Sequence, residues 1–215
     1  MKIENIIFDF DGTLVDSAPC ILNCYERVLE ELNIAPRITI NEQIIGPPLT
    51  ATLTLLTGVE EYDDIALMVE RFKYYYDERV AVETLPYGDV ASLLASLKNT
   101  DIKLYIATNK RISPTMKIIK HLDWHDFFIS IRAIDQLALG RQSKSTLLSD
   151  MLVEHHIDPE TALYIGDKQD DAVAAKANNL GFLAASWGYG DWDRDDHATL
   201  LAPADLVTRV LSNND

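Results

Sequence analysis

A chain of 215 residues, 47% apolar and 25% charged, has room for one domain with a sizeable insertion and can bury most of its apolar surface. Nineteen basic residues against 34 acidic ones give a net charge of −15, which excludes the cation-rich surface that nucleic acid or an anionic membrane would need. Two cysteines are too few for a disulfide framework or a structural zinc site, and neither a signal peptide nor a membrane-spanning run is visible, so a cytoplasmic protein with reduced thiols is expected.

The first predicted element is the apolar run Ile6-Ile7-Phe8, a short buried strand that opens onto Asp9-Phe10-Asp11-Gly12-Thr13-Leu14. Side chains alternate along extended backbone, so Asp9 and Asp11 project to the same side. Two carboxylates aimed together are costly unless a divalent cation or a shared proton neutralises them, and either implies chemistry. A plainer reading is a hairpin, because Asp-Gly between apolar residues is a turn signal. A calcium loop would need a further acidic residue before the glycine and a distant glutamate, both missing here.

From Asp16 the period changes. Ile21, Leu22, Tyr25, Val28, Leu29 and Leu32 recur at helical spacing after an Asp16-Ser17 capping signal, with Pro19 in the first turn and Cys20 and Cys24 four apart. Gly46-Pro47-Pro48 breaks that pattern. Leu49, Leu53 and Leu56 predict a second short helix ending at Gly58, and Ile65, Met68, Val69, Phe72 and Tyr76 a longer third one. Residues 17–83 thus read as almost purely helical, with no strand-like alternation.

After Leu85-Pro86-Tyr87-Gly88, helices and strands alternate. A helix carries Val90, Leu93, Leu94 and Leu97, and a strand at 102–107 runs into Thr108-Asn109. A helix follows the Ser113-Pro114 cap, and residues 127–131 read as a strand. Next come a helix through Leu147, Leu148, Met151 and Leu152, and a strand at 162–165. That strand opens onto Gly166-Asp167-Lys168-Gln169-Asp170-Asp171. An alanine-rich helix at 170–178, a strand at 180–184 and a last helix at about 204–211 complete the series. Strands separated by helices imply right-handed crossovers and an α/β, Rossmann-like parallel sheet with helices on both faces. Ligands of such sheets bind beyond the strands' carboxyl ends, where Asp9, Thr108 and Asp167 would lie. The five histidines, His121, His125, His155, His156 and His197, show no metal-ligand spacing.

The string Asp9-Phe10-Asp11-Gly12-Thr13-Leu14-Val15-Asp16-Ser17 resembles the first motif of the haloacid-dehalogenase-like phosphohydrolases. Thr108-Asn109, Lys144 and the Gly166-Asp167 stretch follow in the order that family requires, so the resemblance covers essentially the whole chain. The helical stretch resembles the small all-α cap of its phosphoglycolate-phosphatase-like members, giving a core of residues 1–16 and 84–215 and a cap of residues 17–83. Trp187-Gly188-Tyr189-Gly190 resembles the same subfamily, with core packing as the plainer reading of Trp187.

The resemblance implies Mg²⁺-dependent hydrolysis of a small phosphorylated metabolite through an aspartyl-phosphate. Asp9 would be the nucleophile and Asp11 the acid and base, while Thr108 and Lys144 would hold the phosphoryl group. Asp9, the backbone carbonyl of Asp11, and Asp167 would ligate the ion, with Asp171 holding a metal-bound water or orienting Lys144. Asn109, Gly46 and Leu49 would face the substrate. Each position also has an ordinary reading: Asp167 as a helix cap, Thr108-Asn109 as a strand-to-loop turn, Gly46-Pro47-Pro48 as a helix breaker, Lys144 as a solvated lysine.

The cation is ambiguous, because Arg141 sits where the family lysine usually falls and Lys144 lies three residues later. A compact ammonium suits the task better than a planar guanidinium. A phosphosugar mutase shares the first motif, and a phosphonatase would need a cap lysine, for which Lys73 is the sole candidate. A non-enzymatic module on the same scaffold should have lost Asp9, Asp11 or Asp167, and all three stand. The expected assembly is a monomer or homodimer with no nucleic-acid or membrane partner.

Overall fold

The computed structural model describes residues 2–192 and 199–211; His197 and Met1 lie outside them. The chain enters through β1 (Asn5–Phe8), buried at every position, and turns through residues 9–14 into the two-residue β2 (Val15–Asp16). Three helices follow, α1 (Ala18–Glu31), α2 (Leu49–Thr57) and α3 (Tyr62–Glu83), and the chain returns through β3 (Leu85–Pro86), antiparallel to β2. Alternation then begins, with α4 (Val90–Lys98), β4 (Lys103–Thr108), α5 (Ile112–His121), β5 (Ser130–Ala133) and α6 (Lys144–Glu154). It continues through β6 (Ala162–Gly166), α7 (Gln169–Ala177), β7 (Gly181–Ala185), β8 (Thr199–Leu200) and α8 (Pro203–Leu211).

Six strands form one parallel sheet in the order β5-β4-β1-β6-β7-β8. The first strand is therefore central, and chain order reverses on either side of it, which leaves a crevice at the carboxyl edge. Register fixes what meets there. Phe8 stands beside Ile106 on one side and Ile165 on the other, so Asp9, Thr108 and Asp167 leave the sheet at one level.

Alternation along β1 divides the core. Ile6 and Phe8 pack into a cluster with Val90, Leu94 and Leu97 of α4, Ile118 and Ile119 of α5, and Leu206 and Val210 of α8. Ile7 faces the opposite side with Tyr105, Ala107 and Tyr164, under Leu147, Leu148 and Met151 of α6 and Ala174 and Ala175 of α7. Both faces are covered, as a parallel sheet requires. In the insertion, α1 and α2 pack against α3, with the Tyr25 and Phe72 ring centres 4.7 Å apart. Gly58 ends α2 at φ 68°, a left-handed position where a glycine carries little penalty. Cys20 and Cys24 are both buried and free. Among the described residues no helix is long and apolar enough to cross a membrane.

Three local expectations need correction, and three short strands go beyond the expected elements. The strand expected at 127–131 forms at Ser130–Ala133, because residues 125–127 take a 3₁₀ turn that leaves the Phe127 ring beneath the Lys98 ammonium. Ser113 and Pro114 do not cap α5 but occupy its first turn, and Asp135 Oδ1 accepts from the Ile112 N–H at 2.9 Å instead. Ser17 stands at the N-cap of α1, yet its hydroxyl donates to Asp11 Oδ1 at 2.5 Å. The backbone donors there go to the Tyr189 hydroxyl and to Asp16 Oδ1. Finally, β2, β3 and β8 have two residues each, too few for any periodicity to announce them.

Candidate active site

A cavity of about 620 Å³ lies between the carboxyl edge of the sheet and the insertion. Its floor carries Asp9, Asp11, Thr108, Lys144, Asp167 and Asp171, and its far wall carries Gly46, Leu49 and Phe72. Asp9 follows β1, its N–H donating to Ile165 O at 2.8 Å. The turn behind it closes through Gly12 N–H to Val15 O at 2.9 Å, so the Asp-Gly turn exists alongside the cluster of carboxylates. Gly12 has φ 86°, and a Cβ there would lie 2.2 Å from Asp167 Oδ2. Both its backbone and its neighbour require glycine.

Asp9, Asp167 and Asp171 are all buried and bring one carboxylate oxygen each within 4.8 Å of the others. Lys144, the first residue of α6, reaches into this group from a helix end capped by Ser143, whose hydroxyl accepts from Thr146 N–H. Its Nζ lies 2.5 Å from Asp9 Oδ1, 3.0 Å from Asp171 Oδ1 and 3.1 Å from the Tyr164 hydroxyl. Asp171 is held further by the Tyr164 hydroxyl at 3.0 Å and by Lys168 N–H at 3.0 Å. Asp167 Oδ2 accepts from Tyr189 N–H at 2.8 Å, whereas its Oδ1 is buried without a hydrogen-bond partner.

Three carboxylates around one ammonium leave excess negative charge. Burial, the largest effect, pushes Asp9 up to about 8 against the pull of Lys144, and Asp171 and Asp167 push the same way. Burial and Asp171 likewise raise Asp167 to about 7. Burial works against the charged form of Lys144, but Asp171 and Asp9 outweigh it and hold the ammonium above the ordinary lysine range. A hard divalent cation fits this donor set: oxygen ligands, surplus negative charge and one carboxylate oxygen lacking a partner.

The two candidate cations lie in different places. Lys144 meets Asp9, while the Arg141 side chain is 59% exposed and pairs with Asp150 at 3.0 Å on the surface. Thr108 is buried at the end of β4, and its hydroxyl accepts from Lys110 N–H at 3.1 Å. Asn109 Nδ2 donates to Gly46 O at 3.3 Å, joining two residues expected on the substrate side. The Asp11 side chain stands apart from the three-carboxylate cluster and accepts from Lys110 Nζ at 2.9 and 3.0 Å.

Trp187 Nε1 donates to Thr13 O at 2.9 Å, and the Tyr189 hydroxyl lies 3.0 Å from Asp16 Oδ1, so this stretch braces the turn carrying Asp9 and Asp11. Sequence reasoning missed Lys110, Tyr164 and the Tyr189 backbone. Only Lys110 left a signal, as a lysine directly after Thr108-Asn109.

The doubly wound sheet and the carboxylate crevice at its edge define a class of hydrolase, and the chain belongs to the haloacid dehalogenase-like hydrolase family, whose model matches residues 6–185. It is similar to the phosphoglycolate phosphatase of Aquifex aeolicus, with 32% identity over 214 residues, 97% of each chain. It is also similar to the tyrosine-protein kinase PtkA of Mycobacterium tuberculosis, with 29% identity over 204 residues, covering 94% of this chain and 69% of that one. Among solved structures, a haloacid dehalogenase-like family protein of Streptococcus pneumoniae aligns with a TM-score of 0.83 and 28% identity, over 96% of this chain and 98% of that one.

Proposed function

We propose that this hydrolase is a Mg²⁺-dependent phosphatase of small phosphorylated metabolites, acting through an aspartyl-phosphate formed on Asp9. The observation that carries the reading is the Lys144 ammonium, 2.5 Å from Asp9 Oδ1 inside a buried group of three carboxylates that opens on a cavity. A phosphate monoester repels nucleophiles by its charge, so its hydrolysis depends on positioning and neutralisation.

Asp9, Asp167 and the backbone carbonyl of Asp11 would hold Mg²⁺, and Asp171 would orient Lys144 or a bound water. When bound, the ion neutralises phosphoryl charge and permits the close approach of an anionic ester. An oxygen of Asp9 attacks phosphorus as the ester P–O bond breaks, and Asp11 gives its proton to the departing alkoxide. Lys144 and the Thr108 hydroxyl hold the phosphoryl oxygens. Asp11 then takes a proton from the water that attacks phosphorus, and Asp9 leaves as a carboxylate.

Residues 1–16 and 84–215 would form the core and residues 17–83 a cap. The β2–β3 ribbon supports that division, because it ties the two strands on either side of the insertion together. Closure over the crevice would exclude water while Gly46, Leu49 and Asn109 read the organic part of the ester. Phosphoglycolate is the first substrate to test, given the name of the Aquifex relative. A monomer or homodimer fits a cavity lined from a single chain, and a cytoplasmic setting fits two buried free thiols.

The test is release of phosphate from p-nitrophenyl phosphate and then from glycolate phosphate, sugar phosphates and nucleotides, with and without EDTA. Release that EDTA leaves unchanged, or that survives Asp9→Asn, would overturn the reading.

A further inference from the structure

Three consecutive residues behind β4 reach the insertion. Asn109 Nδ2 donates to Gly46 O, Lys110 Nζ to the Tyr76 hydroxyl, and Arg111 Nη2 to Asp77 Oδ1 at 2.7 Å. Lys110 differs from its neighbours in also holding a group of the crevice. It is only 9% exposed, and an ammonium has three N–H donors. Its Nζ meets three oxygens: Asp11 Oδ1 at 2.9 Å, Asp11 Oδ2 at 3.0 Å and the Tyr76 hydroxyl. The same Nζ lies 4.7 Å from the centre of the Tyr76 ring. With its donors taken up by these oxygens, Lys110 offers none to a phosphoryl group in this arrangement.

The backbone carries the link further, because Lys110 N–H donates to Thr108 Oγ1 at 3.1 Å. One residue therefore touches Thr108 and Asp11 of the core and Tyr76 of α3. A carboxylate gripped through both oxygens has little freedom to turn, and losing a buried partner leaves its charge uncompensated.

We propose that Lys110 is a positioning residue that aims the Asp11 carboxylate and, through Tyr76, makes that aim depend on α3 being seated against the core. The catalytic consequence rests on the acid–base role of Asp11 given under Proposed function; the mechanical coupling does not. Departure of α3 removes the Tyr76 hydroxyl from Lys110, so that the ammonium loses its anchor on the insertion and holds Asp11 less firmly, with the Ser17 hydroxyl as the remaining partner of Asp11 Oδ1.

Two measurements test this. The first is hydrogen exchange of the α3 amides around Tyr76, which reads the coupling without turnover. Lys110→Met keeps the apolar stem and removes the donors, and should speed exchange in that turn about tenfold, as should Tyr76→Phe, with the double variant no faster than either single one. Protection unchanged in Lys110→Met would overturn the proposal whether or not the chain hydrolyses any ester.

The second is kcat/KM for two esters that differ in their need for a proton. Glycerol phosphate expels a poor alkoxide, whereas p-nitrophenyl phosphate expels a stable phenolate. Lys110→Met should lower kcat/KM for glycerol phosphate about 10²-fold, the scale of a lost general acid, and for p-nitrophenyl phosphate less than about fivefold. Lys110→Arg should recover part of the loss, and adding Lys110→Met to Asp11→Asn should cost nothing further. Equal losses on both esters would overturn the proposal and make Lys110 a phosphate ligand or a purely structural residue. Should the unaltered protein release phosphate from neither ester, the proposed function falls and the exchange result still decides the coupling.

Discussion

The two walls of the cavity are built from different chemistry. The sheet edge supplies buried charge: Asp9, Asp167, Asp171 and Lys144, within hydrogen-bond reach of one another or of backbone donors. The insertion supplies mainly apolar surface, including Ile44, Ile45, Leu49, Val69 and Phe72, and no carboxylate of the cluster. Buried charges hold their geometry only when neighbours on rigid elements fix them, which central strands and a capped helix do. Apolar walls discriminate by shape and tolerate substitution. The contrast supports the proposed division of labour, in which bond making would belong to the sheet and selection to the helices.

The largest expected effect falls on the charged wall. Lys144→Ala should cost about 3–4 kcal/mol in kcat/KM, the scale of a lost donor to a developing charge. Arg141→Ala, altering an exposed pair with Asp150, should stay within about 0.5 kcal/mol. Steady-state kinetics of the two purified variants would break the contrast if Arg141 proved the costlier loss.

Asp167→Ala should raise the Mg²⁺ concentration for half-maximal activity at least about tenfold and change substrate KM less. A magnesium titration with an unaltered midpoint would leave Asp167 as a braced carboxylate at a helix start and nothing more.

Stability should report the same wall. Asp9 and Asp167 are raised from 3.8 to about 8 and about 7, so the metal-free folded protein binds more protons than the unfolded chain across that window. Stability should therefore fall as pH rises from about 4 to about 8. Bound Mg²⁺ would relieve the repulsion, and at a hundredfold excess over Kd it should add about 2.7 kcal/mol, or roughly 5–10 °C in Tm for a chain of this size. Calorimetry with EDTA and with Mg²⁺ should find the gap widening with pH. A metal-free Tm that climbed through this window would contradict the excess of negative charge.

The apolar wall should yield the smallest and most selective effect. Leu49→Ala should shift kcat/KM among natural metabolites by roughly 1–3 kcal/mol while sparing p-nitrophenyl phosphate. Equal loss on every ester in a folded variant would place part of the chemical machinery in the insertion.

The placement of Asp9, Thr108 and Asp167 at one edge was legible because each follows an apolar strand run, and strand ends in a parallel sheet share an edge. Lys144 was legible as a residue type but ambiguous in position, since counting along a loop fixes no distance. Lys110 escaped because its meaning lies in Tyr76, 34 residues away, and in Asp11, 99 away. The short strands β2, β3 and β8 have no period to read, and the onset of β5 was obscured by aromatic residues that a 3₁₀ turn takes out of the sheet. Ser17 shows the same limit at close range, where a cap signal was correct in position and wrong in partner, because the half-buried carboxylate of Asp11 competed for its hydroxyl.

The most direct measurement is to trap the covalent intermediate. Asp11→Asn should still allow attack on p-nitrophenyl phosphate but slow the water step, so that phosphoryl label accumulates on the protein. Peptide mapping of the acid-quenched protein should place that label on Asp9, with hydroxylamine removing it and Asp9→Asn abolishing it. Label on any other residue, or rapid single-turnover hydrolysis that never labels the protein, would contradict a phosphatase built on Asp9.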